Sequence, residues 1–227
     1  MPPDVCPDAD LIIFDCDGTL LNSERVYNET AVKIFGQYGL IYTLDHAYRN
    51  WMGKALEDIV ALVSNETGVQ IPTREFIDRL IAEVPNYQRD YLEPIEGALD
   101  AVKALAGKYK ICVASNGEKP NIISSLAHIG FGNIFGSNVF NKDDVPRAKP
   151  FPDLFLYACK KMQSTPDKTI VIEDSLSGVR AGRAADMYVI GFNGVGHNEL
   201  QSDQALLNAG ADIVFSDWKD ILIHICG

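Results

Sequence analysis

Long hydrophobic runs and paired cysteines are both missing from this sequence of 227 residues. No apolar run approaches the roughly 20 residues that a helix needs to span a bilayer, so we expect no membrane segment. Residues 1–10 contain no basic region followed by an apolar stretch, which predicts a cytoplasmic rather than a secreted protein. None of the 5 cysteines forms a Cys-x-x-Cys pair, so a zinc site is not expected.

Positive charge is also scarce. The chain has 20 lysines and arginines against 31 aspartates and glutamates, which gives a net charge of −11. This excess argues against nucleic acid and anionic membranes as partners, because both are bound through basic patches. A small phosphorylated metabolite is still compatible with the charge, since a metal ion, a lysine and backbone N–H groups can offset repulsion locally. The choice between a monomer and a homodimer stays open.

The apolar run 11–14 is followed by two carboxylates, a glycine and a threonine: Asp15, Asp17, Gly18 and Thr19. Such a run is typical of a buried strand, and the carboxyl ends of parallel strands form the ligand crevice of open α/β sheets. Close carboxylates repel each other and need a cation, a shared proton or solvent. Mg²⁺ prefers such oxygen ligands. A strand that ends in a simple acidic turn would look the same on these residues alone.

Three later segments offer polar groups of the same kind. Two of them follow apolar, strand-like runs, and the other is a lysine that precedes two prolines. In chain order their residues are Ser115, Asn116 and Gly117, then Lys149, then Glu173 and Asp174. Acids, a hydroxyl and a lysine together suit a metal-bound phosphate. Taken singly, each segment has a structural alternative as a turn, a solvated lysine or a helix cap.

Strand-like runs alternate with helix-like segments, which predicts an α/β fold with a Rossmann-like parallel sheet and helices on both faces. The first two strand-like runs end at 14 and begin at 110, much farther apart than one crossover helix requires. Four helix-like segments fill this interval: 24–38, 45–51, 56–67 and 73–91. We therefore predict a catalytic core of residues 1–21 and 93–227 with an all-helical inserted domain of residues 22–92.

The four motifs, in this order, resemble the signature of the haloacid dehalogenase superfamily of phosphotransferases. Its Asp-x-Asp-Gly-Thr motif matches residues 15–19, and its strand-end serine or threonine matches Ser115. Its lysine matches Lys149, and its acidic pair matches residues 173–174. The resemblance extends over nearly the whole chain. It implies that the insert is a cap domain of the first type, which closes over the active site and selects the substrate.

The resemblance also implies a role for each acidic residue. Asp15 would be the nucleophile that forms an aspartyl-phosphate, and Asp17 would be the general acid and base. Mg²⁺ would be held by the Asp15 carboxylate, the Asp17 backbone carbonyl and Asp174. Glu173 would act on the metal directly or through water.

The remaining roles concern the phosphoryl group and the rest of the substrate. Ser115 would donate a hydrogen bond to a phosphoryl oxygen, and Lys149 would balance the charge of phosphate and nucleophile. Further positions expected to bind phosphate or substrate are Gly18, Thr19, Asn116 and Gly117 in the core and Met52, Gly53 and Lys54 in the insert.

The function implied is a Mg²⁺-dependent phosphatase of small phosphorylated metabolites, with sugar or sugar-acid phosphates as the preferred substrates. A dehalogenase is disfavoured because it needs neither Mg²⁺ nor Asp17 and the acidic pair. A phosphoglycolate phosphatase shares the same motifs and stays open. A non-catalytic binding module is disfavoured, because every motif residue is present.

A sugar-phosphate mutase resembling β-phosphoglucomutase is the strongest alternative. Such mutases carry basic residues in the cap loop to bind a second phosphate. Leu56 and Met52 stand at those positions here, and a closely held dianion without a counter-charge is costly. Lys54 or Arg49 can substitute, so the mutase is disfavoured and not excluded.

Overall fold

The structure, a computed structural model, describes residues 8–51, 54–194 and 202–227. The chain divides into two compact units, which we name the core unit, Met1–Asn22 with Glu93–Gly227, and the helical unit, Ser23–Leu92. Asn22 belongs to the core unit, where its backbone N–H donates to the Glu93 carbonyl at 3.0 Å. The insert therefore begins one residue later than the predicted residue 22.

The core unit is built on a parallel sheet of six strands. They are β1 Leu11–Phe14, β2 Lys110–Ser115, β3 Val139–Asn141, β4 Thr169–Glu173, β5 Tyr188–Phe192 and β6 Ile213–Phe215. Their order across the sheet is β3-β2-β1-β4-β5-β6, and every neighbouring pair is parallel. β1 thus lies between β2 and β4, with Phe14 in register with Val113 and Ile172. This topology confirms the predicted α/β, Rossmann-like fold.

Eleven α-helices occur in the described residues. Four of them form the helical unit: α1 Ser23–Gln37, α2 Leu44–Asn50, α3 Leu56–Thr67 and α4 Thr73–Tyr91. Seven belong to the core unit: α5 Ala98–Ala106, α6 Lys119–His128, α7 Gly132–Phe135, α8 Asp153–Lys161, α9 Leu176–Ala184, α10 Asp203–Ala209 and α11 Trp218–Cys226. None of these helices combines the length and the apolar character that crossing a membrane requires.

Helices cover both faces of the sheet, and the alternation of side chains along β1 explains why. Leu11 and Ile13 point to the face that carries α8, α9 and α10, where they join a core that includes Phe155. Phe14 points to the opposite face and contacts the rings of Phe135 in α7 and Trp218 in α11, at centroid distances of 5.8 and 6.0 Å. All four residues of β1 are therefore buried, as expected for a central parallel strand.

The helical unit has a hydrophobic core of its own. Phe35 of α1 lies at its centre, with ring centroids 4.4 Å from Phe76 of α4 and 5.1 Å from Trp51. Val60 and Val63 of α3 complete this core. Because these apolar side chains are buried against one another, the unit packs as a compact body from residues of the insert alone.

Candidate active site

The residues predicted from three separate strands lie at one edge of the sheet. Asp15 follows β1, Ser115 ends β2 and Glu173 ends β4, and these three strands are neighbours. The Asp15 backbone N–H donates to the Ile172 carbonyl at 2.9 Å, which continues the ladder to the point where the acids begin. Asp15, Ser115 and Glu173 are all buried. Parallel pairing therefore brings together polar groups that are far apart in the sequence.

Lys149 joins two of these acids. Its Nζ donates to Asp15 Oδ1 and to Glu173 Oε2, each at 2.6 Å, and its side chain is only 2% exposed. Burial alone would lower the pKa of Lys149, but the charges of Asp15 and Glu173 raise it above its ordinary value. The lysine is thus held as a cation between two carboxylates in a poorly solvated position.

Glu173 uses both of its carboxylate oxygens. Oε2 accepts the bond from Lys149, and Oε1 accepts the Ser175 backbone N–H at 3.0 Å and the Ser175 hydroxyl at 2.7 Å. Ser175 is the N-cap of α9, because its hydroxyl oxygen also accepts the Gly178 N–H at 3.0 Å. A Cβ at residue 178 would lie 1.8 Å from Glu173 Oε2. Glycine at this position therefore leaves the space that the carboxylate occupies.

A tight turn after β1 carries the second aspartate. The N–H groups of Gly18 and Leu20 donate to the carbonyls of Leu21 and Cys16, both at 2.9 Å. Gly18 has a φ of +78°, and a Cβ there would lie 2.1 Å from Asp174 Oδ2. Both facts require glycine. Asp17, unlike Asp15, is exposed at this turn.

Thr19 links this turn to β4 and to the last helix. Its hydroxyl donates to Asp174 Oδ1 at 3.1 Å, and its carbonyl accepts the Trp218 indole N–H at 3.2 Å. Thr19 and Trp218 are both buried. The Thr19 hydroxyl is therefore committed to Asp174, so a contact between Thr19 and phosphate would have to come from its backbone N–H.

Three carboxylates of the site form a cluster with the donor chemistry of a hard cation. Asp15, Glu173 and Asp174 can each present one oxygen so that all three lie within 4.8 Å of one another. Burial and the charge of Glu173 raise the pKa of Asp15 to about 7, against the opposing effect of Lys149. Burial, followed by the charges of Glu173 and Asp15, also raises the pKa of Asp174. One lysine does not offset this repulsion, so the residues fit a divalent cation.

In the loop after β2, the side chains of Ser115 and Asn116 are hydrogen-bonded to the protein backbone. The Gly117 N–H donates to Ser115 Oγ at 3.1 Å. The Asn116 side chain is bonded at both ends to the backbone of Lys149: its Nδ2 donates to the Lys149 carbonyl, and its Oδ1 accepts the Lys149 N–H, both at 3.1 Å. The amide thus connects β2 to the loop that carries the lysine.

The predicted substrate residues of the insert are only partly described. Met52 and Gly53 lie outside the described residues. Lys54 is exposed just before α3, where its backbone N–H donates to the Trp51 carbonyl at 3.0 Å. Arg49 is exposed as well and pairs with Asp45 in the preceding turn at 3.0 Å.

Two residues near the site were not predicted from the sequence. Asn141 is buried at the end of β3, and its Nδ2 donates to the Gly117 carbonyl at 3.2 Å. Its signal was its place at a strand end, the same rule that indicates Ser115. Trp218 has no such signal, because it reaches the site from the beginning of the last helix.

Carboxylates and a hydroxyl at the strand ends of a parallel sheet, with a lysine beside them, are typical of α/β enzymes that act on phosphate groups. Residues 12–192 match the family model described as haloacid dehalogenase-like hydrolase. This match covers most of the chain, and the chain belongs to that family.

Curated relatives and solved structures agree with the family. The 6-phosphogluconate phosphatase of Escherichia coli (strain K12) is 31% identical over 188 residues, which cover 83% of this chain and 84% of the relative. The phosphorylated carbohydrates phosphatase of Thermotoga maritima is 29% identical, with 88% and 91% covered. A crystal structure of a family hydrolase from Deinococcus radiodurans R1, with bound phosphate and sodium, has a TM-score of 0.78 at 27% identity over 95% of this chain and 94% of that one. Together with the family, these relatives identify the enzyme class as phosphoric monoester hydrolase.

Proposed function

We propose that this enzyme is a Mg²⁺-dependent phosphatase of small phosphorylated metabolites, chiefly sugar or sugar-acid phosphates, that acts through an aspartyl-phosphate. The observation that carries the proposal is the state of Asp15. One carboxylate oxygen accepts a 2.6 Å bond from Lys149, while the other accepts no hydrogen bond from any residue in the described ranges. The free oxygen is available to attack, and the lysine offsets the charge that gathers around it.

The reaction divides into two transfers. In the first, the free Asp15 oxygen bonds to phosphorus, the bond from phosphorus to the ester oxygen breaks, and Asp17 gives its proton to the leaving alkoxide. In the second, Asp17 takes a proton from water as the water oxygen bonds to phosphorus. The bond from phosphorus to Asp15 then breaks and releases inorganic phosphate. Asp17 is exposed, which suits a group that must meet both the leaving group and water.

The acidic residues of the site have different electrostatic roles. Asp15, Asp174 and the Asp17 backbone carbonyl would hold Mg²⁺. Glu173 would add negative charge close by while its hydrogen bonds hold Lys149 and Ser175. When bound, Mg²⁺ offsets the charge of the phosphoryl oxygens and of the carboxylates around them.

The phosphoryl oxygens would be bound by donors from both sides of β1. The Ser115 hydroxyl and the Thr19 backbone N–H are the proposed donors, and Lys149 supplies the positive charge. The N–H groups of Gly18 and Gly117 are already bonded to the Leu21 carbonyl and to Ser115 Oγ, so these two glycines are proposed only to line the phosphate site. Phosphoryl transfer depends mainly on such positioning and charge stabilisation, so the set suffices for the chemistry.

Phosphate release from a panel of phosphorylated metabolites, with and without Mg²⁺, tests this proposal. We expect release from sugar phosphates or sugar-acid phosphates that stops on chelation and returns with added Mg²⁺. The Asp15→Asn variant should fold and retain less than about a thousandth of the activity, because an amide cannot act as the nucleophile. Full turnover by this variant would contradict the assignment of Asp15 as the nucleophile. Phosphate release that survives chelation would contradict the assignment of Mg²⁺ as the cofactor. Isomerisation of a hexose 1-phosphate to the 6-phosphate would indicate the mutase.

Lys54 is the proposed contact for a second anionic group on the substrate. It is exposed, and its ammonium makes no ion pair with any residue that the structure describes, whereas Arg74 pairs with Asp78 at 3.1 Å within α4. We expect Lys54→Met to raise KM about tenfold for sugar-acid phosphates and less for neutral sugar phosphates, because only the former lose a charge contact. The matched control is Arg74→Met. An equal change in KM for both substrate classes would contradict the assignment.

A further inference from the structure

We infer that Asn116 is a positioning residue for Lys149, because its side-chain amide holds the lysine's backbone where Nζ reaches both Asp15 and Glu173. The inference rests on the proposed function, which gives Lys149 its charge-balancing role. It gives the Asn116 side chain a role beyond the phosphate or substrate binding expected of this residue.

The first argument is the match between the two groups. The backbone of a residue offers one donor and one acceptor, and so does the edge of an asparagine amide that carries Oδ1. Asn116 Nδ2 donates to the Lys149 carbonyl and Oδ1 accepts the Lys149 N–H, both at 3.1 Å. The reverse orientation of the amide would place donor against donor and acceptor against acceptor, so this pairing is the only one that satisfies both residues.

The second argument is that Lys149 has little else to hold its backbone. It lies between β3 and α8, in a segment without the ladder bonds of a strand. Arg147 and Asp153 pair across this segment at 2.8 Å, but the arginine side chain is 55% exposed, and exposed pairs stabilise weakly. The bonds from Asn116 are partly buried and act on the lysine itself.

The third argument concerns how much accuracy Lys149 needs. Its ammonium lies 2.6 Å from two carboxylates at the ends of different strands, so a shift of the loop breaks at least one ion pair. Displacements of about 1 Å can cost on the order of a hundredfold in rate. Asn116 directly follows Ser115, so one strand end would both bind the phosphoryl group and set the position of the lysine that neutralises it.

The experiment compares Asn116→Leu with the wild type. Leucine has a similar volume but no polar atoms. We expect kcat for p-nitrophenyl phosphate to fall about tenfold or more with a smaller change in KM, because the lysine is misplaced and the substrate site is kept. The control is Asn138→Leu. Asn138 is half-buried just before β3, and its side chain has no hydrogen bond to a described residue, so this variant should keep the wild-type kcat. If the leucine variant does not fold, Asn116→Ser makes the same test.

A second measurement reports on the lysine without turnover. Acetic anhydride labelling, followed by mass spectrometry, should modify Lys149 about fivefold faster in Asn116→Leu than in the wild type, because the loop opens locally. Lys168, whose side chain is 51% exposed, is the internal reference. Unchanged labelling of Lys149 or an unchanged kcat would overturn the inference. A wild type without Mg²⁺-dependent phosphate release would instead contradict the proposed function, and the labelling result would still decide the role of Asn116.

Discussion

At the scale of single residues, the site is made as much by missing side chains as by charged ones. The Glu173 carboxylate occupies the volume that a Cβ at residue 178 would need, and the Asp174 carboxylate occupies the volume that a Cβ at residue 18 would need. Protein interiors are close-packed, so a carboxylate cannot simply share such a volume with a methyl group. The two glycines therefore belong to the site, although neither contributes a functional group through its side chain.

Replacing Gly178 by alanine tests this dependence. The added Cβ would lie 1.8 Å from Glu173 Oε2 and 1.9 Å from its Cδ, so the carboxylate must leave its place between Lys149 and Ser175. We expect a destabilisation of about 1–3 kcal/mol together with a clear loss of phosphate release. Urea unfolding and steady-state kinetics measure the two effects.

Gly36→Ala is the matched control for this substitution. Gly36 lies in α1 and is exposed, and a methyl group added there would meet no atom within 4 Å. Alanine should stabilise the helix there by about 0.5–1 kcal/mol and leave kinetics unchanged. Wild-type activity in Gly178→Ala would show that Glu173 can move without consequence.

At the scale of elements, the last helix supports the first turn of the site. Trp218 begins α11, and its indole N–H donates to the Thr19 carbonyl while its ring packs 6.0 Å from Phe14 and 5.5 Å from Phe192. Thr19 in turn donates to Asp174. A helix far along the chain thus stabilises the turn that carries Asp17.

Trp218→Phe separates this hydrogen bond from the packing. Phenylalanine keeps an aromatic ring but leaves the buried Thr19 carbonyl without its donor, which we expect to cost about 1–3 kcal/mol of stability and to lower kcat. The control is Tyr109→Phe, which removes a 3.2 Å bond to the Ile225 carbonyl in the same helix without touching the turn. It should lose stability only. If both variants keep wild-type kcat, α11 supports the fold and not the catalytic turn.

At the scale of the whole molecule, each unit has its own core and its own tryptophan. The chain contains 2 tryptophans: Trp51 is buried in the core of the helical unit, and Trp218 is buried in the core unit. Units with separate cores need not unfold in a single transition. Fluorescence of the two residues can therefore report on the two units separately.

Phe76→Ala tests the independence of the two cores. Phe76 is buried and packs 4.4 Å from Phe35, so its truncation should destabilise the helical unit by about 3–5 kcal/mol. In a Trp218→Phe background, the fluorescence of Trp51 should show that Phe76→Ala makes the helical unit unfold at a lower urea concentration. In a Trp51→Phe background, the fluorescence of Trp218 should show a much smaller change in the urea concentration at which the core unit unfolds. Equal shifts of both signals would mean that the two units unfold as one.

The exposed Phe151 provides the control for this experiment. It lies in the core unit, and 46% of its surface is accessible to solvent. Phe151→Ala should change either transition by less than about 1 kcal/mol, because little apolar surface is uncovered.

The sequence by itself determined the parallel α/β architecture, the helical insert and which residues stand at the strand ends. These features follow from local patterns, since buried strands need continuous apolar runs and their ends tolerate polar residues. Asp15, Ser115 and Glu173 could be placed together from the fold class alone.

Only the tertiary structure decided which partner each polar group takes. Asn116 bonds to a residue 33 positions away, and Trp218 to one 199 positions away, and neither pairing leaves a local trace in the sequence. The space beside Glu173 likewise depends on how α9 packs against β4. Local pattern sets where a strand or helix forms, whereas hydrogen bonds between distant elements depend on the packing of those elements, which no short segment encodes.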